Sequence, residues 1–345
     1  MAATLRMVAE AASVSLSTAS RALQGSPRIS PATRKRVRSV AADLGYRPNH
    51  AARALRSRRS RLVGLVLNNL VNVSFHTIAE VVQRKLSAEG YQLIISITDG
   101  DPRVEKELLM TLVDHGVDGV IVIGSGLNAA TTNEFLESDI AVVNAIRSSP
   151  DSRAPTVLAG DRDGAYTAVR YLLELGHRRV GYIGGLDSTD SGRERFRGYR
   201  EALADSGVEL DDRLISKGPF TPTFGADAID ELLAVRPGMT ALFAANHEAV
   251  FGIMPGLVAA DVELARELSL ICYEDMPLLQ MWQTPVTVVD TGAEEIGALA
   301  VDLLLDQIDL DGTTRGPEGA PRKVNRTYRV GAQLVQRQSC APPRS

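Results

Sequence analysis

From Ser15 to Arg21 the chain reads Ser-Leu-Ser-Thr-Ala-Ser-Arg. On a helix, Leu16, Ser17, Thr18, Ser20 and Arg21 form one short polar face, while Ala19, Ala22 and Leu23 point the other way. Hydroxyls and a guanidinium presented like this suit the base edges of a DNA groove. The elements needed to hold that face surround it. Thr4 is a plausible N-cap for a first helix through Met7, Val8 and Ala11, and Ala12-Ser13-Val14 makes the turn. Ser15 can cap the second helix, which Gln24-Gly25 ends. Ser30-Pro31 opens a third with an N-cap followed by proline at the first helical position.

Charge is segregated in the same way. Residues 1 to 61 hold 13 Lys/Arg against 2 Asp/Glu, a balance of +11, and the rest of the chain balances at −15, giving the net −4 overall. Basic residues are thus concentrated where they can neutralise phosphates, and the acidic remainder stays clear of DNA. Read alone, Arg34-Lys35-Arg36-Arg38 is a solvated basic helix; beside two helices and a tight turn it reads as part of a helix-turn-helix head.

Val8-Ala9-Glu10-Ala11-Ala12, Val14-Ser15, Thr18, Ser20-Arg21, Ile29-Ser30, Thr33-Arg34, Val37 and Leu44-Gly45-Tyr46-Arg47-Pro48-Asn49 succeed one another in an order that resembles the lactose-repressor (LacI/GalR) family of bacterial transcription regulators. The resemblance implies that the second helix enters the major groove, where the residues at Leu16, Ser17 and Arg21 make or steer base contacts. Ser17 is too short for a bidentate contact of the kind Gln or Arg makes. The DNA-contacting set it implies is Leu5, Ser15, Leu16, Ser17, Thr18, Ser20, Arg21, Arg28, Ser30, Thr33, Arg34 and Tyr46 in the head, with Asn49, Ala52, Leu55 and Arg56 beyond it.

Asn49 to Arg56 has helix-forming composition and a capping Asn, yet spans two turns, well below the roughly 12–15 residues at which an isolated helix becomes marginal. It is expected to be unfolded without a partner. The resemblance makes it the hinge helix, which folds on DNA and wedges an apolar side chain, here Leu55, into the minor groove. The alternative, a core leucine, has little core to join among Arg53, Arg56, Arg58 and Arg59.

At 345 residues the chain exceeds one small domain, and the charge break near Ser60 sets the main boundary. The expected divisions are a head over 1–48, a hinge helix and linker over 49–60, an effector and dimerisation domain over 61–336, and a polar tail over 337–345. No apolar run approaches the roughly 18 residues of a membrane span, and Arg6 and Glu10 interrupt any secretory pattern, so no membrane association and a cytoplasmic location are expected. The 2 cysteines give neither a disulfide framework nor a metal-ligand spacing, and no cofactor is expected.

From Arg61 onward, buried-strand runs alternate with helical segments. The strands are Leu62–Leu67, Gln92–Ile97, Gly119–Ile123, Ile140–Val143, Val180–Ile183, Ala241–Ala244 and Leu268–Tyr273. Such alternation predicts an α/β class with parallel sheets covered by helices, in two lobes whose ligand sits beyond the carboxyl ends of the strands. This portion also resembles the family's effector domain, a two-lobed periplasmic-binding-protein-like fold, through Asn72, Phe75, Val117-Asp118-Gly119, Gly176-His177, Gly184-Gly185, Arg195, Gly198-Tyr199, Ala245-Asn246, Tyr273 and Pro285-Val-Thr-Val-Val. That implies three crossings between lobes, the first lobe holding about 61–160 and 292–325 and the second about 161–291 and 326–336. The tail lacks the leucine heptad of a tetramer, so a homodimer on a pseudo-palindromic duplex is expected.

The family pattern places Arg195 and Asn246 foremost at the effector, then Arg147, Asn72, Phe75 and Phe220. A guanidinium offers a planar donor fork, and an aromatic ring can cover a sugar or base. Several positions depart from the pattern: Glu274 replaces the usual aspartate, His247 comes directly after Asn246, Val73-Ser74 precedes Phe75, and Ile146 precedes Arg147. Glu274 is expected to accept hydrogen bonds from ligand hydroxyls or amines, the alternative being a surface carboxylate beside Asp275. Pro255 is expected to kink or end its helix.

Other functions fit less well. Gly124-Ser125-Gly126 after a buried strand is a loose match to a dinucleotide-binding turn, with no acidic partner at a convincing spacing. A GxSxG nucleophile turn, a phosphate-binding loop and clustered metal ligands are missing, which argues against an enzyme. A transport binding protein would share the second domain's fold and have no use for a basic head. The expected function is therefore a DNA-binding transcriptional regulator, a repressor, controlled by a sugar, polyol, nucleoside or related metabolite. A ligand-enhanced regulator is the variant reading.

Overall fold

The structure is a computed structural model that describes residues 3–23, 26–46, 59–235, 238–310 and 326–344. The chain divides into two compact units, Met1–Ser60 and Arg61–Ser345.

The first unit holds three helices, α1 (Leu5–Ala11), α2 (Leu16–Leu23) and α3 (Pro31–Asp43). Each starts where a hydroxyl satisfies an otherwise orphaned amide. Thr4 accepts from Met7 N at 3.4 Å, Ser15 from Thr18 N at 3.1 Å, and Ser30 from Thr33 N at 3.2 Å. Ser13, at φ 51°, turns the chain between α1 and α2. The buried faces are small: Val8, Ala9, Ala12, Ala19, Ala22, Val37 and Ala41 form the core, edged by Leu5, Val14, Leu23, Ile29, Val40 and Tyr46. Alanines at the contacts let the short helices approach closely enough to share it. Gln24-Gly25 and the whole proposed hinge, with Asn49, Ala52, Leu55 and Arg56, lie outside the described residues.

The second unit is built on two six-stranded sheets. The first contains β1 (Leu62–Leu67), β2 (Gln92–Ile97), β3 (Gly119–Ile123), β4 (Ala141–Ala145), β5 (Thr156–Ala159) and β11 (Thr327–Val330), in the order β11-β5-β4-β3-β1-β2. The second contains β6 (Val180–Gly185), β7 (Ile215–Gly218), β8 (Ala241–Ala244), β9 (Ser269–Tyr273), β10 (Thr287–Asp290) and β12 (Gln333–Val335), in the order β12-β10-β9-β8-β6-β7. The described pairings are parallel except β10 with β12. Central strands such as β3 and β9 are buried along their length, because helices cover both faces.

The first lobe's helices are α4 (Val73–Ala88), α5 (Pro102–Asp114) and α6 (Ala129–Glu137). The second lobe's are α7 (Asp161–Glu174), α8 (Asp190–Asp205), α9 (Pro222–Ala234), α10 (His247–Ala259) and the short α11 (Pro277–Gln280). The chain then returns: α12 (Ala293–Leu310) packs on α4, β3, β4 and β5, placing Ile296, Ala300, Val301, Leu304 and Ile308 in the first lobe's core.

Three details differ from the sequence reading. β11 pairs with β5 in the first sheet, so residues 327–330 belong to the first lobe, and the last crossing is the two-residue link Gly331-Ala332 rather than the region before 326. The segment read as a polar tail is woven into the second lobe. Ser339 is fully buried, its carbonyl accepts from Leu270 N at 3.0 Å, and its hydroxyl accepts from Thr287 N at 2.8 Å. Buried His177 reaches Ala341 O at 3.0 Å. Pro255 does not end α10, which runs on to Ala259; Pro255 and Phe251, whose carbonyl loses its usual donor, both lie on the exposed face.

Candidate effector cleft and DNA-reading helix

The second unit's cleft is lined by residues just beyond the carboxyl ends of its strands. Asn68 comes after β1, Asp99 after β2, Ile146 and Arg147 after β4, Asp161 after β5, Ser191 after β6, Phe220 after β7, Asn246 and His247 after β8, Glu274 after β9 and Thr291 after β10. All border one cavity of about 290 Å³, with Asn72, Phe75 and Glu248. Parallel strands direct these positions to one end of each sheet, which is why open α/β sheets bind ligands there. The seven residues assigned to the effector from sequence, Asn72, Phe75, Arg147, Arg195, Phe220, Asn246 and Glu274, are all in this lining.

Two backbone positions repeat across the lobes. Ile146, just past β4, has φ 66° and donates its amide to Val157 O at 2.8 Å; Glu274, just past β9, has φ 70° and donates to Val289 O at 2.7 Å. A β-branched residue and a glutamate in the left-handed region are both strained. The strain turns the chain sharply after the fourth strand of each lobe, aiming Arg147 and Glu274 into the cleft.

Arg195, on α8, is only 6% exposed. Its Nε donates to Asp161 Oδ1 at 2.7 Å, Nη1 to Ala245 O at 3.0 Å and Nη2 to Glu274 Oε1 at 3.5 Å, with the guanidinium 3.7 Å from the Tyr273 ring centroid. Burial alone would lower its pKa, but Asp161, Tyr273 and Glu274 raise it above the ordinary arginine value. Most of the fork is therefore committed to protein groups. Arg195 organises the floor of the cleft more than it reaches out from it.

Glu274 is buried, and the surface reading of this residue is incorrect. Burial favours its neutral form, but His247 and Arg195 hold its pKa down at about 2. His247 Nδ1 lies 2.9 Å from Glu274 Oε2, an ion-pair distance without good hydrogen-bond alignment. The imidazole is 2% exposed; burial disfavours its charge, yet Glu274 raises its pKa above the ordinary value. Asn246 caps α10, its Oδ1 accepting from Glu248 N at 2.8 Å. Three atoms of this group, Asn246 Nδ2, His247 Nε2 and Glu274 Oε2, are buried without a hydrogen-bond partner.

On the opposite wall, Arg147 donates to Gly124 O at 3.2 Å and, with the Asn68 amide oriented to offer its oxygen, to Asn68 at 2.9 Å from both terminal nitrogens. Asn72 caps α4 by accepting from Phe75 N at 3.2 Å and reaches across to Glu248 Oε1 at 3.4 Å. Burial lifts the Glu248 pKa. Phe75 belongs both to the first lobe's core and to the cleft wall, whereas half-buried Phe220 lies over Gly185, where a Cβ would clash with its ring. Ser148 also bridges the lobes, its amide and hydroxyl donating to Asp190 Oδ2 at 2.7 and 2.6 Å.

Sequence reasoning missed Asp161, Asn68, Glu248 and the Ser148–Asp190 bridge, and treated His247 only as a departure. An acidic residue opening a helix directly after a strand was the available signal for Asp161. The loose dinucleotide-turn match is accounted for differently: buried Glu105 accepts from Ser125 N at 2.5 Å and from Asn128 Nδ2 at 2.9 Å, filling the place a phosphate would need. Among the described residues no cluster has the makings of a metal site, and no helix is long and apolar enough to cross a membrane.

In the first unit, α2 presents Leu16, 51% exposed, with exposed Ser17 and Arg21, while Thr18 and Ser20 are half-buried. Arg28 is exposed and Arg34 half-buried. Ser15, Ser30 and Thr33 are engaged in caps: Ser15 Oγ also meets Ser17 Oγ at 2.9 Å and Thr18 Oγ1 at 2.8 Å, and Ser30 Oγ meets Thr33 Oγ1 at 2.9 Å. Leu5 and Tyr46 pack on the small core.

Comparison with known proteins covers both units. The family model described as "Bacterial regulatory proteins, lacI family" matches residues 4–49, and that described as "Periplasmic binding proteins and sugar binding domain of LacI family" matches residues 60–337. Catabolite control protein A of Priestia megaterium is 30% identical over 302 residues, 87% of this chain and 91% of its own. The HTH-type transcriptional repressor CytR of Escherichia coli K12 is 30% identical over 307 residues, 89% of this chain and 90% of its own. Among solved structures, the transcriptional regulator CelR in complex with cellobiose superposes with a TM-score of 0.71 at 29% identity, covering 98% of this chain and 99% of that one. The lac repressor dimer bound to operator and an anti-inducer gives a TM-score of 0.83 at 21% identity, covering 99% and 100%, a likeness of fold.

Proposed function

Because the chain belongs to the LacI family of bacterial regulatory proteins, we propose that it is a transcriptional repressor that binds a pseudo-palindromic operator as a homodimer and is released from it, or fastened to it, by a small ligand in the cleft. The observation that carries this reading is the coexistence in one chain of an outward helix bearing Leu16, Ser17 and Arg21 and a two-lobed cavity whose lining residues include two buried nitrogens without a hydrogen-bond partner, Asn246 Nδ2 and His247 Nε2. Buried polar atoms are costly unless something satisfies them, and a ligand supplies the missing partners.

Control is rooted in the geometry of the cleft. A ligand shifts DNA affinity only through a difference in its own affinity for two arrangements of the lobes, typically a coupling of about 1–3 kcal/mol. Ser148–Asp190 and Asn72–Glu248 are the contacts that such a shift would make or break. On the DNA side, Ser17 and Arg21 would read base edges and Arg28 and Arg34 would meet phosphates; Asn49, Ala52, Leu55 and Arg56 would form the hinge, with Leu55 as its wedge.

The test is selection of genomic fragments by the full chain, with affinity then measured over a range of salt. A steep fall of affinity with salt, abolished by removal of residues 1–60, supports the reading. Equal binding by the truncated chain, or a salt slope near zero, would remove it.

A further inference from the structure

The C-terminal segment meets the cleft from behind, through Arg337, two residues past β12. Its amide donates to Thr287 Oγ1, the next amide, on Gln338, donates to Pro285 O, and Nη1 donates to Val286 O, each at 2.9 Å. The arginine is thereby tied to the start of β10. Its fork closes on Asp275, Nη1 to Oδ1 at 3.0 Å and Nη2 to Oδ2 at 2.5 Å, and Gln280 Nε2 donates to the same Oδ2 at 3.2 Å. The Arg337 and Asp275 side chains are only 15% and 24% exposed. A bidentate charge-assisted pair fixes orientation as well as distance, which a point charge such as lysine does not.

Glu274 borders the cavity, and Asp275, which follows it, does not. The glutamate sits at φ 70°, a backbone conformation that persists only where the surroundings over-determine it. Two constraints flank it. Its own amide is held by Val289 O at 2.7 Å, and the residue after it is held by Arg337. The corresponding turn of the first lobe is built differently: the Ile146 amide is held by Val157 O at 2.8 Å, and the following residue, Arg147, enters the cleft. In the second lobe the residue after the turn is committed instead to a fastening outside the cavity. Where that turn points decides where the Glu274 carboxylate stands, 3.5 Å from Arg195 Nη2 and 2.9 Å from His247 Nδ1.

We propose that Arg337 is a positioning residue of the cleft: its fork on Asp275 holds the turn at Glu274 in the left-handed conformation, so that the C-terminal segment, 62 residues away in the chain, sets whether the Glu274 carboxylate meets His247 and Arg195. The proposal rests on the reading that the cleft is the regulatory site and makes the C-terminal segment part of it. The competing role for that segment is to staple the sheet. Ser339 does this, its hydroxyl accepting from Thr287 N at 2.8 Å and donating to Leu270 O at 2.5 Å, between β10 and β9. The two residues therefore separate positioning from stapling.

The experiment follows the His247 imidazole of the full chain, free of ligand and DNA, by NMR titration, its signals identified by their loss in His247→Gln. Burial disfavours charge on this ring, Glu274 and Glu248 favour it and Arg195 opposes it, with a net rise above the ordinary value. A carboxylate swung away from the ring should therefore lower the titration midpoint. Arg337→Gln is expected to reduce the proton affinity of His247 about ten-fold, a fall of about one pH unit in the midpoint. Asp275→Asn should move it in the same direction, and Arg337→Lys, which keeps the charge without the fork, should recover only part of the loss. Ser339→Ala should lower the melting temperature and leave the midpoint in place.

An unchanged midpoint in Arg337→Gln and Asp275→Asn would overturn the proposal, and so would an equal shift in Ser339→Ala, which would reduce the effect to general loosening. Should either tail variant fail to fold, Asp275→Asn, which keeps the shape of the side chain, decides alone. Failure of the titration leaves the regulator reading standing, because neither effector nor operator is present in it. Failure of genomic fragment selection removes that reading and leaves the midpoints as they are.

Discussion

Arg195 has two duties that its sequence position could not separate. Its pairing with Asp161 and Glu274 is buried, so deleting it strands two carboxylates in a site of low polarity. Arg195→Ala should therefore destabilise the effector unit by about 3–5 kcal/mol, beyond any loss of response. Denaturant unfolding monitored by tryptophan fluorescence checks this, and a midpoint unchanged from wild type would show that the ion pairs matter little. Glu274 gives a pH signature. Its folded pKa of about 2 lies below the ordinary 4.5, so its stabilising contribution is complete above about pH 4.5 and is lost as pH falls toward 2. The stability difference between wild type and Glu274→Gln should shrink across that window, as read from urea midpoints at several acid pH values.

At the scale of elements, short helices rely on their caps. Ser30 satisfies the Thr33 amide, and Ser30→Ala should cost the head about 1 kcal/mol, visible as a lower melting temperature of the isolated residues 1–60 if that segment folds alone, or as faster amide exchange of α3 in the full chain. The Ser148–Asp190 bridge is an element-level device of another kind, tying the loop after β4 to the first turn of α8. Charge-assisted hydrogen bonds of this sort contribute roughly 1.5–3 kcal/mol. Asp190→Ala should shift the lobes toward an open arrangement, and small-angle scattering should record a larger radius of gyration for the ligand-free variant. An identical scattering curve would assign the bridge to local packing.

For the whole molecule, the proposed hinge is the segment through which head and cleft would communicate. If Leu55 wedges between base pairs, Leu55→Gly should remove DNA bending and preference for a flexible central step, with nonspecific binding largely retained. Gel-shift comparison of bend angle and operator affinity tests it, and no change in either would make Leu55 a packing residue.

The sequence by itself determined the local and periodic features. The capped helices of the head arise from hydroxyl and proline placement, β1, β3 and β8 from buried apolar runs, and edge strand β2 from an apolar run that the structure leaves half-buried to exposed; the ends of all four coincide with the structure. Strands β5, β7, β10, β11 and β12 escaped, because three or four residues such as Ile-Ser-Lys-Gly carry too little pattern, and most of their pairing partners lie far away in the chain. The last lobe crossing was misplaced for that reason: only the pairing of β11 with β5 assigns those residues. The woven tail was unreadable because its burial depends on amides and hydroxyls of Ser269, Leu270 and Thr287 that approach from some fifty to seventy residues away. In the cleft, resemblance placed all seven assigned residues in the lining, yet roles had to come from tertiary structure. Asp161, Ala245 and Glu274 converge on Arg195 from three different strand ends, turning an expected ligand fork into an internal clamp. That His247 pairs with a buried carboxylate became visible only when tertiary structure brought Glu274 beside it. Residue type sets what a side chain can do, and burial with distant partners decides which of those capacities is left over for a ligand.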